Sequence, residues 1–142
     1  MDLYNVMDIA GSALSAQSVR LNTTASNLAN ADSISSSINQ TYKARHPVFA
    51  AVQAAMNNRQ QANDMSMGGV QIKGIIESQA TPLARYQPDH PLADPNGYVY
   101  QPNVNLVEEM ADMISASRSY QTNVQVANTA KTLLARTLQL GQ

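Results

Sequence analysis

The side chains able to do chemistry are few and wrongly spaced for it. His46 and His90 are the two histidines; each stands beside a proline, Pro47 and Pro91, and neither has a second histidine at the spacing that sets two imidazoles on one helix face. There is no cysteine, so neither a disulfide nor a cysteine-ligated zinc can form. Asp89 and Asp94 flank His90, but a calcium loop placing Gly97 at its sixth position would put Leu92 at the first and Asn103 at the twelfth, where carboxylates are required. Glu108 and Glu109 are neighbours on a helix and point in different directions, which makes them capping and surface residues rather than an acid–base pair. No glycine-rich phosphate loop and no nucleophile elbow occurs. The expectation is no catalytic residue, no metal, no cofactor and no small-molecule substrate.

The elements that would have to position a site are more regular than the chemistry. Leu3, Met7, Ala10, Leu14, Gln17, Leu21, Thr24, Leu28 and Ala31 follow a 4,3 alternation, with Met7, Leu14, Leu21 and Leu28 separated by sevens. Residues 3–31 therefore read as one helix about 45 Å long. A second seam closes the chain: Leu106, Met110, Met113, Ser117, Tyr120, Val124, Ala127, Lys131, Leu134 and Leu138. Asn105 followed by Glu108 is a capping box that starts this last helix, and Gly141 is an expected stop.

The other face of the first helix carries Ser12, Ser15, Gln17, Ser18, Asn22, Thr23, Thr24, Ser26, Asn27 and Asn30, with Arg20 the only charge between Asp8 and Asp32. Solvated helices usually carry Glu and Lys there; Ser, Thr and Asn compete for backbone hydrogen bonds instead. The face is expected to bond to neighbouring subunits, and the free segment to be barely helical. Composition agrees: charged residues are 13%, half the roughly 25% of an ordinary soluble domain, there is no Trp, and twenty of the apolar residues are alanines. Such a chain suits surfaces covered by protein. The net charge is −1 with scattered cations, which gives no footprint for nucleic acid.

Between the helices the polar stretch 33–41 reads as a linker and 42–104 as a small β-rich insert. Val48-Phe49 and Val52 suit a strand, 57–69 a mobile loop, and Val70 to Glu77 a strand with a step at Gly74. Leu83 to Gln87 and Tyr98-Val99-Tyr100 complete a sheet of three or four strands, joined through a type I turn at Asp94-Pro95-Asn96-Gly97. The fold class is α+β: two long terminal helices, 1–32 and 105–142, pairing as an antiparallel coiled coil, with a small antiparallel β-rich domain inserted between them. No apolar run reaches the length of about 18 residues that a membrane span needs, and the N-terminal residues lack the pattern of a secretory signal.

Ala13-Leu14-Ser15-Ala16-Gln17, Arg20-Leu21-Asn22 and Ala25-Ser26-Asn27-Leu28-Ala29-Asn30-Ala31 resemble the N-terminal signature of the rod, hook and related axial proteins of the bacterial flagellum. Asp89-His90-Pro91, Asn96-Gly97-Tyr98-Val99, Pro102-Asn103-Val104-Asn105, Glu108-Glu109-Met110 and Met113 to Gln121 narrow the resemblance to proximal-rod members. The resemblance implies a structural subunit of the rod in the periplasm, its helices packed around an export channel, its partners other copies of itself, other rod proteins and the rod-to-export-gate adaptor. It also implies export through the flagellar type III apparatus without a cleavable signal peptide. The expected assembly interface is Leu14, Leu21, Asn22, Asn27, Leu28 and Asn30 on the first helix with Met110, Met113, Ile114, Tyr120, Val124, Leu134 and Leu138 on the last. The alternatives are another rod or hook component, or a self-contained helical adaptor for one soluble partner.

Overall fold

A computed structural model describes residues 3–52 and 68–140. The order is α1 (Leu3–Asn30), a short 3-10 turn (Ile38–Gln40), β1 (Arg45–Val52), β2 (Gly69–Glu77), β3 (Leu83–Tyr86), β4 (Tyr98–Gln101) and α2 (Leu106–Leu140). This is the α+β arrangement that the two heptad seams and the short apolar runs between them predict. Of the expected loop at 57–69, residues 57–67 lie outside the described residues, and Gly69 already begins β2.

The strands do not form one sheet. They form two pairs, β1 with β2 and β3 antiparallel to β4. The far edge of β4 is occupied by the stretch that reads as a linker: Ser35 and Tyr100 exchange N–H···O=C bonds of 2.9 and 3.0 Å. Ser35 Oγ also lies 2.6 Å from Thr41 Oγ1, which donates to the Ser37 carbonyl at 2.9 Å. Ser33 and Ser35 therefore bond to local backbone, at the Asn30 and Ser37 carbonyls.

The chain divides into two units, and the division runs through both helices and the β1–β2 pair. In the first, with α1 up to Val19 and α2 from Ala116, the buried residues of the helices are all alanines: Ala10, Ala16, Ala116 and Ala130. Small residues at helix faces allow close approach but bury little apolar area. Ser12 Oγ accepts the Val70 N–H at 3.1 Å and donates to the Ile9 carbonyl at 2.8 Å, which docks the start of β2 on α1. Gly69 makes this possible, since a Cβ there would meet Ser12 Oγ at 2.8 Å.

The second unit holds Arg20–Pro47 and Ile75–Ser115. Its apolar centre is Val99, fully buried on β4. The turn before β4 is the expected type I turn: the Gly97 N–H reaches the Asp94 carbonyl at 2.9 Å, and Asp94 Oδ1 accepts from the Asn96 and Tyr98 N–H groups. Gly97 has φ +83°, and a Cβ there would lie 2.9 Å from the Tyr86 ring and 3.3 Å from Pro88. Gly97→Ala is accordingly expected to lower stability by about 2 kcal/mol, read as a lower urea midpoint at unchanged slope.

Along α1 every expected seam position from Leu3 to Ala31 is buried or half-buried. Along α2 only half of the seam holds. Met113, Ala127 and Leu134 are half-buried, but the companion row is Glu109, Ala116, Asn123 and Ala130, one residue before the expected Met110, Ser117, Val124 and Lys131. Met110 is half exposed and Lys131 is exposed, while Ser117 and Val124 remain half-buried. The small side chains of Ala116 and Ala130 let the helix turn that row inward.

Candidate assembly surface

A polar hub organises the second unit. Asn27, on the last turns of α1, is 1% exposed and uses its whole amide. Its Nδ2 donates to the Arg45 carbonyl at 2.9 Å and to Glu109 Oε1 at 2.8 Å. Its Oδ1 accepts the Arg45 N–H at 2.8 Å and the Tyr42 hydroxyl at 2.9 Å. Tyr42 OH also lies 3.1 Å from Ser26 Oγ, and the Arg45 guanidinium stands 5.7 Å from the Tyr42 ring centre. One residue thus ties α1, the start of β1 and the first turn of α2. A second link, Arg20 Nη2 to Asp112 Oδ1 at 2.6 Å, joins the same two helices half-exposed.

Asn27, expected at the assembly interface, lies buried in the lone chain with its whole amide bonded to its own residues. Glu109 is not a surface residue: it is buried, and its carboxylate is the acceptor that makes Asn27 possible at that depth. More generally the polar face of α1 turns toward its own chain, with Ser12 on β2, Ser26 on Tyr42 and Asn30 on the Ser26 carbonyl. Asn22, by contrast, is exposed on α1, as are Ser15 and Ser18.

Asn105 Oδ1 accepts from the Val107 and Glu108 N–H groups at 3.1 and 3.4 Å, so the expected cap starts α2. Just beyond it Val107, Met110 and Ile114 are 75%, 50% and 54% exposed, three apolar residues at helical spacing on one outward face. Further along, Tyr120 and Leu138 are exposed, while Leu14, Leu21, Leu28, Met113, Val124 and Leu134 are half-buried. The spacing points to Ile114 and Met110; the fully outward Val107 is missed, because it lies off the 4,3 seam used to find the others. In the first unit Leu3, Val6, Val126 and Leu133 border an apolar groove of about 310 Å³ between the helices.

Among the described residues no group of three or more His, Asp or Glu side chains is placed to hold a metal ion. His90 Nδ1 accepts the Leu92 N–H at 3.1 Å, a turn role. His46 borders a polar cleft with Asn103, Asn105 and Glu108. Tyr100 donates its hydroxyl to Asp94 Oδ2 at 3.3 Å; burial and then the Asp94 charge hold the phenol above its ordinary pKa. No described helix is long and apolar enough to cross a membrane.

Family models match at both ends: the flagella basal body rod protein over residues 7–33, and the flagellar basal body rod FlgEFG protein C-terminal over residues 96–140. The chain is 52% identical to the flagellar basal-body rod protein FlgC of Salmonella typhimurium over 142 residues, the whole of both chains. It is 51% identical to that of Yersinia enterocolitica and 43% identical to that of Buchnera aphidicola subsp. Schizaphis graminum, again over the full length of each.

Proposed function

The chain belongs to the FlgC family of flagellar basal-body rod proteins, and from that premise we propose how it does its work as a structural subunit of the proximal rod. Copies of the chain and other rod components pack through the outward faces of the two terminal helices, and the wall so formed carries motor torque as a drive shaft. The interface residues are Asn22 on α1 and Met110, Ile114, Tyr120 and Leu138 on α2, with Val107 added to them. The β-rich insert between the helices lies outside that wall. The subunit reaches the periplasm through the flagellar type III apparatus, and its first neighbours include the rod-to-export-gate adaptor.

The observation that carries this reading is the balance of apolar surface. The buried side chains are mostly alanine and threonine, whereas Val107, Met110 and Ile114 face outward together. Covering each of these contributes roughly 1.5 to 3 kcal/mol, and a wall supplies such cover at every subunit. The ordering of long helices costs about 1 to 2 kcal/mol per residue, which alanine contacts in a lone subunit offset poorly.

Hydrogen exchange tests it. In the purified chain, amides of α1 up to Val19 and of α2 beyond Ala116 are expected to exchange quickly, while those near Asn27 and Glu109 are slower. In isolated basal bodies the same outer stretches are expected to become strongly protected. Equal protection in both samples would remove the case for assembly through these helices.

A further inference from the structure

Leu14, Leu21 and Leu28 on α1 repeat every seven residues, so a slip of α1 by a heptad presents the same row of leucines again. Something else must choose the register. In the second unit two polar links cross between the helices: Asn27 to Glu109, 82 residues away in sequence, and Arg20 to Asp112, 92 residues away. A slip of one heptad along α2 would bring Asn27 against Ala116 or Pro102 and Arg20 against Ser119 or Asn105. Either slip leaves the buried Glu109 carboxylate without its donor and the Asn27 amide without its acceptor.

We propose that Asn27 and Glu109 form a register lock, which specifies where the last turns of α1 sit on the first turns of α2, with Arg20–Asp112 as its outer support. A buried polar pair in an apolar seam discriminates against misaligned packings because each of them strands both partners. The same amide reads the Arg45 backbone from both sides, so the lock also sets the point where β1 leaves the helices. Asn27 is thus a specificity-determining residue buried within its own chain.

The absence of cysteine makes the test direct, since thiols introduced at Ala25→Cys and Ser115→Cys, both at exposed positions, are the only sites for nitroxide labels. Pulsed electron resonance on the purified full chain then reads one distance across the helix pair. The native chain is expected to give a single narrow distribution. Asn27→Leu with Glu109→Met keeps an apolar seam without the lock, and should add a second population displaced by up to about 10 Å, the axial travel of one heptad. Glu109→Gln keeps an acceptor oxygen for Asn27 and both bonds to the Arg45 backbone, and should keep the native distance.

A single narrow distance in the Leu/Met variant would overturn the lock and leave the register to the Ser35–Tyr100 bridge. So would a native distribution already as broad as the variant's. If the Leu/Met variant does not fold, Glu109→Gln and Glu109→Met decide: a native distance in the first with a second population in the second supports the lock, and a native distance alone in both overturns it. The measurement is made on the free chain, so it stands or falls apart from assembly into a rod.

Discussion

Cells whose only copy of the chain carries Ile114→Asp are expected not to swim, while the amount of chain made and exported stays at the native level. Ile114 is 54% exposed and sits on the outward face of α2 with Val107 and Met110. An aspartate there costs the free subunit little, because the side chain already meets water. Inside a wall the same carboxylate must be desolvated against apolar neighbours with no cation supplied for it, and the lost apolar burial adds roughly 1.5 to 3 kcal/mol at each contact. Every subunit of the ring suffers the same loss, so the penalty multiplies with copy number. Swimming in soft agar, immunoblots of fractions and the composition of isolated basal bodies measure it together. Motile cells with native basal bodies would remove this face from the assembly surface.

Leu21→Asp and Leu28→Asp should also stop motility, but by another route. Both residues are half-buried on the seam, so a charge there strikes the helix pair within the subunit as well as any contact beyond it. These variants are expected to show reduced protein levels, which Ile114→Asp does not. The contrast separates failure to fold from failure to assemble.

How much of this was legible beforehand depended on whether a signal was local. Leu14, Leu21 and Leu28 repeat at a spacing that only one helix face satisfies, and the structure turns that face inward. Asn105 and Glu108 stand three residues apart, so the cap of α2 and its first turn were readable, as was the turn at Asp94 to Gly97. The inward row of α2 was not. Ala116, Asn123 and Ala130 carry no more hydrophobicity than the row beside them; what distinguishes the two alanines is small size in a buried place, which a single-helix pattern does not contain. Glu109 looked solvated because its reason for burial, Asn27, is 82 residues away. The serines and asparagines of α1 looked like an outer face for the same reason: their partners on β2, Tyr42 and Arg45 belong to a segment whose path no periodicity reveals.

That hidden partnership leads to the largest expected loss of stability. Asn27→Ala removes four hydrogen bonds at once and leaves three buried or part-buried groups to be satisfied anew: the Glu109 carboxylate and the N–H and C=O of Arg45. A bond to a charged acceptor is worth about 1.5 to 3 kcal/mol, and a stranded backbone group costs about 1 to 3 kcal/mol, so the sum is expected near 3 to 5 kcal/mol. Small domains hold only about 5 to 15 kcal/mol in total, and a chain whose core is mostly alanine should sit low in that range. The variant is therefore expected to be only marginally folded around its second unit at room temperature, with exchange at residues 20–30 and 106–115 rising together. Glu109→Gln keeps an acceptor oxygen for Asn27 and should cost about 1 kcal/mol. Asn30→Ala loses only the bond to the Ser26 carbonyl in the same helix, and should cost less than either of the others. Urea midpoints for the three variants should fall in that order, with Asn27→Ala lowest; an Asn27→Ala chain as stable as Asn30→Ala would mean that the hub contributes no more to the fold than an ordinary surface asparagine.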